Sequence, residues 1–164
     1  MAVAQTSKQI KATTTIPWLP RLLITTLEPL FALSGSVLLL TSPATYIAHL
    51  SRLHPGDIHP AALGVSWIYT QLAGGWLVII FLEAVLLRVV DDLKVWKLVA
   101  TAILLSDVLY THSLAQAVGG WGEWIVLSKW TVMDWAAAVG TWPFVLVRVG
   151  IVLGLFGNGK RKGA

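Results

Sequence analysis

The sequence predicts an all-α protein, a membrane-embedded four-helix bundle, and three observations lead there. Hydrophobic residues make up 56% of the chain and charged residues 12%, about half the charged share of an ordinary soluble domain, and the mean hydropathy is +0.74. The apolar residues gather into four long runs, and 164 residues accommodate four spans of about 20 residues with their connections. The basic residues sit at the ends of those runs rather than along a stripe, so membrane topology accounts for the pI near 9.6 and no nucleic-acid partner is expected. With no cysteine, disulfides, thiolate metal sites and thiol nucleophiles are excluded.

Residues 1–15 are polar, carry Lys8 and Lys11, and lack the basic-then-apolar layout of a signal peptide, so they read as a disordered cytosolic tail. Residues 16–157 read as one four-span domain. Pro17 and Pro20 suit a helix entrance, and Trp18 between them suits the membrane interface. The first span covers about residues 22–40; Pro29 follows Glu28 inside it and, having no N–H, predicts a kink and a freed carbonyl. Ser42-Pro43 ends it. The loop from Ala44 to Pro60 carries Tyr46, His49, Arg52, His54, Asp57 and His59, and is expected to cap one mouth of the bundle.

The second span, about residues 61–87, holds Trp67, Tyr69 and Gln71 in its first half and Glu83 near its far end. The connection from Arg88 to Lys97 is short, which makes spans two and three antiparallel neighbours, with Asp91 and Asp92 as solvated turn residues. The third span, about residues 95–118, stops before Gly119-Gly120. Trp121, Trp124 and Trp130 then form an interfacial belt, and the fourth span covers about residues 134–156 with Arg148 inside it. Gly150 and Gly154 form a GxxxG, a spacing that permits close helix approach and hence a homo-oligomer contact.

Orientation follows from counting. With four spans, both tails and the middle turn share a side, which holds Lys8, Lys11, Arg21, Arg88, Lys94, Lys97, Lys160, Arg161 and Lys162, against Arg52 and Lys129 opposite. The positive-inside rule therefore places both termini in the cytosol. Residues 158–164 form a basic cytosolic tail, and Lys160 and Lys162 stand as in the KxKxx signal that retrieves membrane proteins to the endoplasmic reticulum; plain topogenic lysines are the equal alternative.

Depth then sorts the polar groups. Asp107 lies about 18 Å into the third span, where a bare carboxylate costs about 2.5 to 3.5 kcal/mol and must be paired, protonated or turned to a polar cavity. Glu28 and Arg148 lie at similar depths, about 12 to 13 Å from the cytosolic side, and are expected to pair. Asp107 comes level with Gln71 and near Tyr69, and Tyr110 and Thr111 share its face, whereas His112, five residues on, points elsewhere on a straight helix. Asp134, at the start of span four, suits a helix N-cap or first-turn acid. Glu83 is expected to snorkel to the surface with Arg88. His49, His54 and His59 match no metal-ligand template, and no GxSxG, phosphate loop or HExxH is present, so neither a metal nor a cofactor is expected.

Two carboxyl groups in different surroundings can divide acid and base work: a desolvated Asp107 holds a proton to donate, while a Glu28 paired with Arg148 stays ionised. That division suits opening of an epoxide in an apolar molecule, although the same residues could form a network that only sets helix register.

The run from Glu28 to Gly35, Leu105-Ser106-Asp107, and Trp130 to Trp135 leading to Arg148 and Leu153-Gly154 resemble a family of small fungal four-span membrane proteins of natural-product pathways. They are similar, more remotely, to the membrane epoxide hydrolases and cyclases of aurovertin- and citreoviridin-type polyketide biosynthesis. The resemblance implies Glu28, Asp107, Asp134 and Arg148 as the shared polar set, and the chain departs from it in having Val108-Leu109-Tyr110 where a histidine is expected after the aspartate.

The resulting expectation is a membrane enzyme of the endoplasmic reticulum with catalytic Asp107, Glu28, Arg148 and Asp134. Gln71, Tyr69, Tyr110, Trp67 and Trp135 would touch an apolar polyketide or terpenoid substrate, with pathway enzymes as further partners. A membrane terpene cyclase acting by protonation and a non-catalytic lipid-binding or scaffold protein are the alternatives.

Overall fold

A computed structural model describes residues 9–160, and these hold helices and turns with no strand among them. Four helices are long and apolar enough to cross a membrane: α1 (Trp18–Thr41), α2 (Ser66–Val89), α3 (Leu93–Ala117) and α4 (Val132–Leu153). They form an all-α bundle of an integral membrane protein. Its outer surface carries large apolar side chains such as Val78, Leu105, Leu109 and Leu146, each more than half exposed, a surface that a bilayer solvates and water does not. One end, the terminal face, holds the α2–α3 turn with residues 10–17 and 153–157; the opposite loop face holds the α1–α2 and α3–α4 connections. Lys8 and residues 161–164, with the Arg161 and Lys162 of the basic tail, lie outside the described residues.

The tightest pairings are α1 with α2 and α3 with α4. Gly35 sets the first: a Cβ there would lie 2.7 Å from the Trp76 ring, so only glycine lets that indole lie against α1. α2 and α3 follow one another through a short turn and share the larger core, where Leu87 packs with Trp96, Val99, Ala100 and Ile103, together with Ile24, Phe144 and Ile151. In lipid this packing contributes through van der Waals contact rather than release of water. A smaller core, Leu114, Ala115 and Trp124, lies toward the loop face.

Three spans depart from regular α-helix. α1 contains a π-helical turn at Leu23–Leu27 and α2 another at Leu82–Leu86, and the two pack on each other. The free carbonyl expected from Pro29 belongs to Thr25, four residues earlier; Arg88 Nη2 donates to it at 2.7 Å and to Thr26 Oγ1 at 2.8 Å. α4 breaks between Val139 and Trp142, where Thr141 leaves helical geometry and Pro143 opens the next segment. Irregular backbone at this depth persists only where it is buried or lines a cavity.

The ends revise several expectations. Residues 10–15 are not a free tail: Ala12–Thr15 is a helical turn, Leu93 donates its N–H to the Ile10 carbonyl at 2.9 Å, and Thr13 bonds Asp91 through its amide at 2.8 Å and its hydroxyl at 2.7 Å. Asp91 is therefore occupied rather than only solvated, and these bonds hold its carboxyl below the usual range. Asp92 caps α3 by accepting from the Lys94 amide at 2.6 Å. α2 starts at Ser66 rather than 61, because Val65 leaves helical geometry. α4 starts at Val132 and stops at Leu153, where Gly154 adopts φ +72° and Lys97 Nζ donates to the Val152 carbonyl at 3.0 Å. The GxxxG is thus used inside the chain: Gly150 is buried beneath Phe156, with a Cβ at 150 falling 2.9 Å from that ring, and Gly154 is the helix cap.

Candidate functional site

Each span contributes one ionisable side chain to a single cluster: Glu28 from α1, Glu83 from α2, Asp107 from α3 and Arg148 from α4. Arg148 is 1% exposed. Its Nη1 donates to Asp107 Oδ2 at 2.5 Å, and its Nη2 donates to Glu83 Oε1 at 2.9 Å and to Glu28 Oε1. Both glutamates share one nitrogen, so their carboxyl groups meet there. Glu28 Oε2, Glu83 Oε2 and Arg148 Nε are buried with no protein partner among the described residues.

The π turns explain how two glutamates converge. A π turn holds one residue more than an α turn, and that residue rotates everything beyond it by about 100° around the axis. Glu28 directly follows the first π turn and Glu83 lies within the second. Glu83 was expected to snorkel with Arg88; instead it is wholly buried and bonded to Arg148, while Arg88 serves the carbonyl that Pro29 orphans. A charged group this deep is cheaper paired with a guanidinium than stretched toward the interface.

On the loop side of the cluster lies a cavity of about 330 Å³. Glu28 and Asp107 both stand on its wall, with Phe31, Tyr46, Trp76 and Tyr110 as aromatic panels. Gly140 and Thr141 from the break in α4 complete one side. The helix Pro43–Ser51 covers the loop face and brings Tyr46, His49 and Leu50 to the same space. The Tyr46 ring meets Trp76 edge-on at 5.7 Å, and burial pushes its phenol well above the ordinary range, which keeps it a neutral hydrogen-bond donor.

A second space, about 430 Å³, lies on the lipid side between α3 and α4. Asp107 stands on its wall too, with Thr111, His112, Trp121, Trp142 and Val145. Trp121 Nε1 donates to His112 Nδ1 at 3.1 Å.

The other residues expected at the site are elsewhere. Asp134 is 3% exposed and serves as the first-turn acid of α4: its Oδ2 accepts from the Thr131 amide at 2.6 Å, the Thr131 hydroxyl at 2.8 Å and Arg52 Nε at 2.9 Å. It is not on the wall of either space. Trp67 is 61% exposed, Gln71 faces outward, and Tyr69 is off both walls. Trp135 packs edge-on against Trp130 at 4.8 Å and is half exposed. Depth alone placed Gln71 level with Asp107, but the face of α2 turned inward is that of Ala73 and Trp76, and two residues back from Ala73 is about 200° around the helix. Of the expected contacts, Tyr110 lines the inner cavity.

Sequence reasoning missed Glu83, His49 as a wall residue, and the break in α4. Glu83 could have been found as an acid well inside an apolar run, and the break from Pro143 three residues after Gly140. No group of three or more His, Asp or Glu residues able to hold a metal ion occurs among the described residues. Among known proteins, residues 13–158 match the model of a family described as a domain of unknown function (DUF7704). No curated protein and no solved structure matches the chain.

Proposed function

The chain belongs to the DUF7704 family, whose description names no activity, and from the chemistry of the site we propose that it is an integral membrane enzyme that opens an epoxide by acid–base assistance. The substrate is an apolar polyketide or terpenoid intermediate of fungal secondary metabolism, and the product is a diol or a new ring. The observation that carries this proposal is that Glu28 and Asp107, held by one guanidinium, both stand on one largely apolar cavity. A volume of about 330 Å³ falls at the small end of ligand pockets.

Arg148 orients Asp107 through Oδ2 and leaves Oδ1 without a protein donor among the described residues. Protonated Asp107 gives its proton to the epoxide oxygen as the C–O bond breaks. Water, or a hydroxyl of the substrate, attacks the carbon and releases its proton to the Glu28 carboxylate on the same wall. Tyr46 and His49 sit on the same wall and can hold the leaving oxygen or the nucleophile. Glu83 stays behind the guanidinium and balances it.

The aromatic panels favour a second reading, a membrane terpene cyclase that protonates an alkene or epoxide. The faces of Phe31, Tyr46, Trp76 and Tyr110 would steady a carbocation as it migrates. Both readings require Asp107 as an acid. Location in the endoplasmic reticulum and cytosolic termini belong to the same proposal, supported by the basic residues gathered on the terminal face.

The test is conversion of polyketide and terpenoid epoxides by microsomes that contain this chain, beside the Asp107→Asn variant. Diol or cyclic ether formed by the wild type and lost in the variant is the expected result. Equal turnover by both, at equal protein level, would remove Asp107 as the acid, and turnover by neither would favour a lipid-binding or scaffold protein. Glycosylation sites placed in the tails and in the loop near Gly56 read the orientation, and modified tails would reverse it.

A further inference from the structure

The groove between α3 and α4 plays no part in the chemistry above, yet it shares that chemistry's acid. Asp107 walls the inner cavity and the groove alike. The groove is otherwise mostly apolar, with Leu104, Val108 and Val145 on its sides, and polar groups turned toward lipid are costly unless something uses them. His112 is such a group. The Trp121 indole donates to Nδ1, which leaves Nε2 as the ring's donor, and Nε2–H has no protein acceptor among the described residues. The groove thus offers a donor toward the loop face and an acid five residues deeper, about 7.5 Å along the helix axis.

We propose that this groove is the subsite through which substrate reaches Asp107 from the bilayer, and that His112 selects it. The molecule that fits is an amphiphile with a hydrogen-bond-accepting oxygen, a carbonyl above all, set further from its reacting group than the axial rise of about 7.5 Å, because His112 and Asp107 also lie about 140° apart around the helix. The oxygen lies on His112 Nε2–H, the carbons between lie against Val108 and Val145, and the reacting group meets Asp107. This inference rests on the proposed role of Asp107 as the acid.

The test uses two photoactivatable long-chain terminal epoxides in phosphatidylcholine nanodiscs containing the full chain. One carries a ketone more than about 7.5 Å from the epoxide and the other a methylene at the same position; labelled peptides are mapped by mass spectrometry. The ketone probe is expected to label α3 and α4 around Val108 and Val145, in competition with unlabelled ketone. His112→Phe should weaken that competition by about three- to tenfold, the worth of one hydrogen bond, while His112→Gln, which keeps a donor, largely restores it. The methylene probe should be indifferent to both changes. Equal behaviour of the two probes in the wild type would overturn the proposal, as would labelling confined to Phe31 and Trp76. So would a photoactivatable phosphatidylcholine that labels the groove and is not displaced by the ketone, because the groove would then be a lipid slot. The failures separate: ketone-dependent labelling with no turnover of any substrate leaves the groove standing and removes the enzyme, whereas turnover insensitive to His112→Phe removes the groove alone.

Discussion

Two arginine–carboxylate clusters tie this bundle together, and they are built to different ratios. At the loop face, Arg52 meets Asp134, one guanidinium to one carboxylate, and Thr131 completes the bonding of Asp134 Oδ2. Between the spans, Arg148 meets Glu28, Glu83 and Asp107, one guanidinium to three carboxyl groups. The first balances charge and stands on the wall of neither space. The second is neutral only when it also holds two protons, and two of its three acids open on a cavity. A pair that only fixes geometry has no use for surplus acid in a low-dielectric medium, so the imbalance is what supports the proposed acid–base role of the Arg148 cluster.

Substitutions at both clusters, and a titration at the terminal face, sharpen that contrast. The largest effect is expected from Asp107→Asn, which still accepts from Arg148 but cannot give a proton: product formation should fall about 10²- to 10⁴-fold with the melting temperature nearly unchanged. Asp134→Asn is its counterpart and should lower the melting temperature while leaving the rate per folded molecule intact. A rate loss in Asp134→Asn as large as that in Asp107→Asn would erase the distinction between the clusters.

Arg148→Met should come next. It strands three acids and should cost about 3 to 5 kcal/mol, seen as loss of monodisperse protein in detergent, and adding Glu28→Gln, Glu83→Gln and Asp107→Asn should recover much of it. Thr131→Val removes the α4 cap hydroxyl and should cost about 1 kcal/mol by thermal denaturation, without change in rate.

The smallest effect belongs to Asp91 at the terminal face. Thr13 holds its carboxyl below its ordinary 3.8, so the contribution to docking of residues 10–15 is complete above that value. It is lost as the pH falls through the lower folded value. Proteolysis at Lys11 should therefore accelerate only in that acidic window, and Thr13→Val should produce the same sensitivity at neutral pH.

Much of the bundle was legible in the chain. Four apolar runs with short breaks leave few alternatives once charge is this sparse, and Asp134 three residues after Thr131 is a capping pattern that local geometry realises directly. Depth arithmetic also brought Glu28 and Arg148 level, and they meet. What depth could not supply was azimuth. Glu83 and Gln71 both lie in α2, yet one is wholly buried and the other faces outward, and their positions depend on how α2 turns against α1. That turn is decided by Trp76 lying on Gly35 and by the π turn around Glu83, neither of which periodicity announces. The ordered residues 10–15 were illegible for a related reason: their partners, Asp91 and Leu93, are distant in sequence.

By itself, then, the sequence determined the solvent this protein folds in and the number of times it crosses it, because hydropathy and span length are properties of each segment alone. Only the tertiary structure decided which acids share Arg148 and which of them face a cavity. Those choices depend on rotations of whole helices, set by a glycine contact, two π turns and a proline break acting together across the bundle.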